Sequence, residues 1–476
     1  MTRFLKTGLL LALVFGVVWL AVIIWWQESR TLPTGLDIGL YLFALPLALI
    51  AAGWAGLRIA RARREARAAA AAAPADAPAA TSAAAAPAIT RLVALAGAAR
   101  AAPGSDPAAI HAALAKQQRP DLDETLKNAR GYPVFSARAA HLDSDALREI
   151  AETDDTPAAA RTEDCLRATA LLCEVIETLS RDARAHVLEH GTPERDDDWP
   201  LLQLELLLPA QWPSAAREHA QARARQAAAW PAARLGLRPH EARDALASDG
   251  LLRELALEPA SAARAPLRIV AAADSFIDSH VVGEWDAGGL LVGNGNPQGR
   301  VPGEAAAGLL LDLNLAAPAT PGNGTPAAPP AGAFALTLSP MAHRATGADD
   351  RGAANEPMLA ELTTRFLEQH ERRAQDIRAL VSDADHRGSR PLEAAGLAST
   401  LFTTLDPNQD CLAVGGACGY TGAAAHLLTL SVAAEACAQA EAPVLAVMTQ
   451  DPMLRTLALL SPSPPPDPHK KSQNHA

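Results

Sequence analysis

Cysteine is scarce in this 476-residue chain, and the motifs of several common sites are missing. The five cysteines include no Cys-x-x-Cys pair, and a chain of this length needs no disulfide staples. A disulfide framework is therefore excluded, and a reducing compartment is favoured. Gly-x-Gly-x-x-Gly, the Walker loop and His-Glu-x-x-His are also absent. These absences exclude the dinucleotide, P-loop and zinc-protease sites that those motifs build, and no cofactor is predicted.

Positive charge is in short supply after residue 67. The formal net charge is −11, yet residues 1–67 hold eight arginines and lysines against three acidic residues. The rest of the chain is therefore strongly acidic, which argues against nucleic acid as a partner because phosphates are neutralised by a basic face. The acidic run at 194–199 is interpreted as a solvated turn rather than a cation site.

Two uncharged apolar runs, Thr7–Trp26 and Ile38–Leu57, open the chain. At ~1.5 Å per helical residue, each matches a hydrocarbon core of ~30 Å. A cleaved signal peptide is the alternative for the first run, but that run is too long, lacks a small-residue cleavage site and is followed by the second run. Residues 1–60 are therefore predicted to form a two-helix transmembrane hairpin.

The flanking charges orient this hairpin. Arginine and lysine lie before the first run and after the second, whereas the connecting loop holds one arginine and two acids. Both termini and the body are therefore predicted to be cytoplasmic, at a bacterial inner membrane. The inner membrane, bound through residues 7–57, is the first predicted partner.

An Ala/Pro-rich linker is predicted at 61–88 and a disordered tail at 463–476. A further Pro/Gly/Ala run at 316–333 is interpreted as an exposed insertion. Between linker and tail, short apolar strands alternate with helices, which predicts an α/β fold with sheets covered on both faces. The predicted strands are 90–99, 201–210, 266–276, 304–315, 332–345, 377–384, 411–417 and 444–449, with 304–315 and 332–345 paired, and the predicted helices are 166–190, 357–375, 391–405 and 422–440.

Four segments carry a resemblance to a known family. In chain order they are "LRIVAAADSFID" (267–278), "GNPQGRVPGEAAAGLLLDL" (295–313), "VSDADHRGSRPLEAAG" (381–396) and "VGGACGYTGAAAHLL" (414–428). Together they resemble the β-ketoacyl synthases of the thiolase-like superfamily. The resemblance implies a five-layered αβαβα body made of two similar halves, a divergent one at 89–265 and a second at 266–462, and a dimer or another protein complex.

The resemblance also implies a condensation site, which this sequence does not complete. The family uses a cysteine thiolate some tens of residues before the "AAADS" turn, and no cysteine lies between Cys173 and Cys411. His386 matches the first catalytic histidine and Glu393 the acid that ends the same segment. Tyr420 matches the second histidine and is a poor base at neutral pH.

Other candidate residues have two interpretations each. Ser248 is a substitute nucleophile or a helix N-cap. His386 is a structural histidine bonded to Asp385 or Asp383, or part of a ligand or acid/base site. Cys418, expected where the family's pocket is lined, is a core cysteine or a reactive thiol.

Acidic residues after tight turns complete the set of candidates. Glu304, like Asp385, is assigned to the pocket lining, and backbone bracing is its favoured role, as it is for Asp274 and Ser275. His186 and His190 have a helical spacing that suits a metal, but with no third ligand placed they are interpreted as surface or capping residues, and no metal site is predicted.

The missing thiol, the changed histidine and the anchor predict a membrane-bound, non-catalytic scaffold or accessory subunit. Hairpin, tether and degenerate body together also resemble accessory proteins of type VI secretion. The alternative is an acyltransferase or acyl-binding enzyme that acts on acyl-thioesters with a relocated nucleophile. A third hypothesis keeps the pocket as a small-ligand sensor, which a cavity lined by His386, Tyr420 and Cys418 would favour.

Overall fold

Residues 90–258, 266–315, 330, 332–350, 353 and 356–463 are described in a computed structural model. The chain divides into two compact units, Met1–Ala85 and Ala86–Ala476, and every described residue lies in the second. The hairpin predicted at 1–60, the linker at 61–88 and the tail beyond its first residue lie outside the described residues, as does most of the insertion. Within the described part of the chain, no helix combines the length and apolarity needed to cross a bilayer.

The strands run through the whole body. They are β1 (Thr90–Ala101), β2 (Asp121–Lys127), β3 (Pro133–Ser136), β4 (Leu202–Pro209), β5 (Leu235–Ala242), β6 (Leu267–Ser275), β7 (Glu304–Asp312), β8 (Phe334–Leu338), β9 (Ala342–His343), β10 (Ala379–Ser382), β11 (Cys411–Ala413), β12 (Val444–Met448) and β13 (Leu454–Pro462).

Helices alternate with these strands. They are α1 (Pro107–Ala115), α2 (Ser144–Thr153), α3 (Glu163–His190), α4 (Ser214–Ala228), α5 (Leu246–Leu257), α6 (Ser279–Ala287), α7 (Met358–Gln369), α8 (Arg390–Thr400), α9 (Val414–Cys418) and α10 (Ala425–Ala440). Acidic side chains define several helix starts. Asp106, Asp143 and Asp278 each accept hydrogen bonds from N–H groups of the first turn of α1, α2 and α6, which satisfies donors that a helix leaves unpaired.

The sheet order shows a duplication. The strands lie in the order β11-β10-β12-β13-β8-β1-β7-β6-β4-β5. The first half contributes β1, β4, β5, β6 and β7 to this order, and the second half contributes β8, β10, β11, β12 and β13. Counted in chain order within each half, the second strand pairs in parallel with the third and with the fourth. The fifth strand pairs antiparallel with the fourth, and the first pairs antiparallel with the fifth. The halves meet where β1 and β8 pair antiparallel. Parallel neighbours need a crossover, which α4, α5, α8 and α10 supply.

Alternate strand residues face different helical layers. In β6, Val270 and Ala272 pack with α5 and α10, whereas Ile269 and Ala271 pack with α3 and α4. The second half repeats this alternation: β12 and β13 share the first core cluster on one face and pack with α7 and α8 on the other. The layers therefore run α3/α4, first-half strands, α1/α5/α10, second-half strands, α7/α8, and the predicted αβαβα arrangement is present.

The central layer explains the composition of α10. This helix is buried around almost its whole circumference, and its side chains are mostly alanine, leucine, serine and threonine. A helix that is apolar on all sides belongs in a core, and small side chains let two sheets pack against it closely. Ser431 shows how its hydroxyls are satisfied, because it donates to backbone carbonyls of β1 and β7.

Three expectations about the fold are wrong. The boundary between the halves lies between β7 and β8, not at 265/266, because β6 pairs with β4 of the first half. The segments 304–315 and 332–345 are strands but do not pair with each other, because β1 lies between them. Residues 235–242, where no strand was predicted, form β5, so a strand does precede Ser248.

Candidate functional site

A cavity of about 350 Å³ lies where the two halves approach each other. Its walls come from the β5–α5 corner, the loop after β10, the start of α10 and the loop after β12. The lining residues are Arg243, Asp244, Ala245, Leu246, Arg300, Asp349, Arg387, Arg390, Tyr420, His426, Gln450, Asp451 and Pro452. Tyr420 is the one sequence-predicted site residue among them.

The β5–α5 corner occupies the place where a strand-to-helix turn could present a nucleophile. It holds Arg243 and Asp244, and the Asp244 carboxylate accepts a hydrogen bond from the N–H of Leu246, the first residue of α5, at 2.9 Å. No cysteine, serine or threonine of the described chain lines this cavity. The corner therefore supplies charged side chains instead of a thiol.

Ser248 is the third residue of α5 and is fully buried. It is not the helix N-cap, since it lies within the helix and Ala245 holds the N-cap position, so that interpretation is wrong. The Ser248 hydroxyl has no hydrogen-bond partner in the described part of the chain, and it lines neither this cavity nor the neighbouring one. Activation of a serine requires a general base, and among the described residues none is hydrogen-bonded to it.

His386 does not line the cavity. Its side chain is exposed, and within the described residues it makes no hydrogen bond or ion pair. The expected bond to Asp385 or Asp383 is absent because both carboxylates are engaged elsewhere. Asp385 accepts from the backbone N–H of Arg387 at 2.9 Å and from its Nε at 2.7 Å.

The Asp385 contact instead positions an arginine on the cavity wall. Arg390 is held in a similar way: its Nη1 lies 2.6 Å from Asp349 Oδ1, and its Nε donates to the carbonyl of Gln450 at 3.1 Å. Hydrogen bonding to Arg390 lowers the pKa of Asp349. Two of the cavity's arginines are therefore fixed by carboxylates.

Tyr420 lies in a cage of rings and guanidinium groups. Its ring centroid is 5.0 Å from that of Phe276 and 5.7 Å from that of Trp285. The guanidinium carbon of Arg300 lies 4.3 Å from the Tyr420 centroid, and that of Arg387 lies 5.5 Å away. Burial raises the pKa of Tyr420, so the phenol is neutral at pH 7 and the residue is no general base.

His426 is one of the cavity residues that the sequence prediction did not name. It lies in the first turn of α10, is only 2% exposed, and its Nδ1 has no hydrogen-bond partner among the described residues. Its Nε2 lies 3.4 Å from Asp383 Oδ2. Burial alone would raise the pKa of Asp383, yet that pKa is lowered because His426 and the N–H groups of Thr449 and Gln450 stabilise the carboxylate.

Glu393 lies in an ion cluster away from this cavity. It contacts Arg344, it is held by Arg455 with Nε at 2.7 Å and Nη2 at 2.9 Å, and it accepts from Ser389 at 2.6 Å. Burial would raise the pKa of Glu393, but these partners lower it. Its contacts brace the start of α8.

Two residues assigned to the pocket lining are also structural in their contacts. Glu304 is fully buried, receives Arg167 at 2.6 and 2.8 Å, and accepts the N–H of Ala139 at 2.6 Å. Cys418 is fully buried in the core, and burial raises the pKa of its thiol to about 12. Neither lines the 350 Å³ cavity.

Asp274 and Ser275 line a neighbouring cavity of about 280 Å³ that shares Arg243, Arg300 and Tyr420 with the first. Asp274 accepts N–H bonds from Ser275 and Ala423, both at 3.0 Å, which braces the turn before α10. Burial raises the pKa of Asp274 to about 8.

The arrangement suits an anion and lacks the groups for acyl transfer. Four arginines face three aspartates around the larger cavity, and neither Arg243 nor Arg300 has a carboxylate partner within the described chain. The first turns of α5 and α10 both line it, so two positive helix ends add to the field. Arg300, Arg387, Arg390 and His426 all lie inside the family-like segments, so sequence position alone could have pointed to them, whereas Arg243 lies outside those segments.

No protein-family model matches the sequence, and no curated protein matches it either. Among solved structures, the ishigamide ketosynthase/chain length factor is similar over 79% of this chain and all of that chain, with a TM-score of 0.51 and 14% identity. A type II PKS acyl-carrier protein in complex with its ketosynthase, AntDE:AntF, gives a match over 78% of this chain and 100% of that chain, with a TM-score of 0.50 and 10% identity. At such identities the likeness concerns the fold alone.

Proposed function

Starting from a body with the thiolase-like ketosynthase fold, we propose that this protein is a non-condensing scaffold or accessory subunit. The observation that carries the proposal is the β5–α5 corner, where Arg243 and Asp244 line the cavity and none of the described thiols or aliphatic hydroxyls does. Condensation needs an acyl-bearing nucleophile close to acid/base groups. Here His386 faces solvent, and Tyr420 is a neutral phenol held in a ring cage.

The proposed scaffold is anchored to the cytoplasmic face of a bacterial inner membrane by residues 7–57. The support is the pair of uncharged runs with arginines at their outer flanks. We assign it to a protein assembly of the type VI secretion kind. The support is the order of the predicted hairpin, the Ala/Pro-rich tether and the ketosynthase-like body, which resembles accessory proteins of that system.

Protein partners are part of the proposal, and the body offers an apolar surface for them. Leu122 on β2 and Phe135 on β3 are paired across the two strands and are about half exposed, and Tyr132, the residue before β3, is 65% exposed. Exposed apolar side chains that cluster in this way mark interaction surfaces. We propose that a second copy of the chain binds here.

The absence of acyl transfer is tested by intact-mass spectrometry of the full chain after incubation with acyl-thioesters or a cerulenin-type electrophile. No stoichiometric adduct is expected. An adduct of one acyl group per chain that disappears in Ser248→Ala would overturn the proposal and establish the acyltransferase alternative.

Anchoring and self-association need separate experiments. The full chain should fractionate with membranes, and a variant that lacks residues 1–60 should not, while removal of 464–476 serves as the matched truncation. A Leu122→Ser/Phe135→Ser double variant should shift a dimer to a monomer in light scattering. Leu392→Ser, which changes an equally exposed leucine on α8, should leave the mass unchanged.

One observation favours a second candidate function, a sensor for a small anion. Among the described residues Arg300 has no carboxylate partner and the buried Nδ1 of His426 has no hydrogen-bond partner, and both side chains line the 350 Å³ cavity. Buried polar groups without partners are costly unless a ligand satisfies them. His386 and Cys418, expected to line such a sensor pocket, do not line this cavity.

Calorimetric titration with malonate and with inorganic phosphate tests the sensor hypothesis. Binding of either anion should weaken at least about tenfold in Arg300→Gln, since a charge-assisted hydrogen bond contributes about 1.5–3 kcal/mol. Arg225→Gln, an exposed arginine on α4, is the control. Equal affinities in all three proteins, or no binding, would contradict a sensor role.

A further inference from the structure

The last turn of α3 carries a cluster of metal-ligand side chains that the cavity described above does not use. The sequence His-Val-Leu-Glu-His places His186, Glu189 and His190 at positions i, i+3 and i+4, on one face of the helix. One ligand atom from each of the three lies within 4.8 Å of the others. The sequence prediction counted only the two histidines and so lacked a third ligand.

The hydrogen bonds of His190 fix its available nitrogen. Its Nδ1 lies 2.8 Å from the backbone carbonyl of His186, and a carbonyl only accepts hydrogen bonds. Nδ1 therefore carries the proton, and the lone pair of Nε2 is free to bind a metal ion. A backbone carbonyl that holds one ring nitrogen while the other ligates is a common support of metal-bound histidine.

A carboxylate from another element restrains His186. Asp312, the last residue of β7, has its Oδ2 3.8 Å from Nε2 of His186, and its Oδ1 accepts the N–H of Asn314 at 2.9 Å. The Asp312 carboxylate is thus fixed by its own backbone and faces the imidazole. This distance is longer than a hydrogen bond, so Asp312 orients the His186 ring by electrostatic attraction and not by a direct hydrogen bond.

The surroundings leave room for an ion and its water. His186, His190 and Asp312 line an open cavity of about 610 Å³, whose wall also carries Glu194 and Asp198. Carboxylates around the site favour a cation, and imidazole together with carboxylate is the donor set that zinc takes in proteins. Ligand atoms of a tetrahedral ion lie about 3.4 Å apart, a contraction that half-exposed side chains at a helix end can make.

We propose that His186, Glu189 and His190 bind a divalent zinc ion, with Asp312 as a positioning residue for His186. All three ligands lie at the end of α3, and Asp312 is the residue that connects this site to the end of β7. Zinc-bound water fills the position that the protein leaves open. The site is independent of the cavity proposed for an anion, so either proposal can fail without the other.

Zinc binding to the full chain, purified without a histidine tag, is measured by competition with a fluorescent chelator, and native mass spectrometry gives the stoichiometry. We expect one zinc ion per chain. His186→Ala and His190→Ala should each weaken binding at least about 100-fold, and Asp312→Asn about tenfold, as for outer partners of metal ligands. Cobalt should give visible absorption bands in the native chain that the histidine variants lose.

His280→Ala is the matched control. His280 on α6 lies 3.8 Å from Glu284 at the i+4 position, so it reproduces an exposed helical histidine–carboxylate pair without the second histidine. Zinc should raise the melting temperature of the native chain and of this control, and leave His186→Ala unchanged, while all variants should melt alike without metal. Absence of stoichiometric zinc, or equal affinity in every variant, would overturn the site.

Discussion

Asp274 and Asp383 are both buried carboxyls, yet the protein shifts their pKa values in opposite directions. Asp274 faces two neutral N–H groups, which do not compensate for burial, so its pKa rises to about 8. Asp383 receives backbone N–H groups as well, but His426 faces it too, and its pKa falls. The additional partners of Asp383, His426 above all, therefore separate the two carboxyls, since both are buried to a similar depth.

Asp274→Asn should flatten the dependence of stability on pH. Because the pKa of Asp274 is raised, the native state retains a proton that the unfolded chain loses above about pH 4, so the free energy of unfolding falls as pH rises from about 4 to 8. Each pKa unit corresponds to about 1.4 kcal/mol. Urea titrations at a series of pH values should show this slope reduced in the variant.

Part of the pH dependence of stability should remain in Asp274→Asn, because burial raises the pKa of Asp164 as well. Asp145→Asn is the control, since that carboxylate is almost fully exposed on α2. Parallel slopes for the native chain and Asp274→Asn would show that Asp274 does not hold the proton.

At the scale of the element, the turn before α10 depends on a glycine. Gly422 has φ +49°, and a Cβ at this position would collide with Oδ2 of Asp274. Gly422 thus allows the carboxylate to reach the N–H of Ala423. The same turn sets Tyr420 and His426 on either side, so the glycine helps to position both.

Gly422→Ala should lower the free energy of unfolding by about 2 kcal/mol or more, because it combines a strained backbone with a buried clash. Gly250→Ala is the control for the glycine-to-alanine change without a clash. Gly250 lies within α5, and nothing lies within 4 Å of an added Cβ, so alanine should stabilise the protein by roughly 0.5–1 kcal/mol. Chemical denaturation measures both. A Gly422→Ala protein as stable as the native chain would contradict the turn geometry.

Elements with a continuous apolar pattern were predictable from the sequence, and β5 was not. The strands β1, β4 and β6 and the helices α3 and α10 fall where the pattern predicted them. In β5, Pro239 and a run of polar residues interrupt the pattern, because this strand lies at the sheet edge and proline is tolerated only there. Pro239 is therefore compatible with an edge strand, and it is also the residue that interrupts the strand pattern in the sequence.

At the scale of the whole molecule, two copies of one strand order share a single central helical layer. Contacts of that layer join residues of both halves, such as Val270 and Val444, into one core cluster. Sequence order indicated the duplicated fold, but it could not show that β1 separates β7 from β8. The cavity was harder still to predict, since its four arginines come from three segments that are far apart in the sequence.

The shared core predicts that both halves unfold together. Four of the eight tryptophans, Trp199, Trp212, Trp230 and Trp285, lie in the first half. With Trp19, Trp25, Trp26 and Trp54 replaced by phenylalanine, tryptophan fluorescence reports on that half, and thiol labelling of buried Cys437 reports on the second. In a guanidinium titration of the full chain the two midpoints should coincide. Labelling of Cys437 at a lower denaturant concentration than the fluorescence change would show that the second half is an independent unit.

The described chain passes from the first half to the second once, between β7 and β8. All other contacts between the halves, such as the β1–β8 strand pairing and the shared core, are non-covalent. Covalent continuity at this point is therefore dispensable in principle. Two polypeptides divided within 316–329 and co-expressed should assemble in trans and co-purify. Each expressed alone should be insoluble, because it would expose both an unpaired strand and an uncovered face of the central helices. Fragment complementation is thus the property that this duplicated architecture carries.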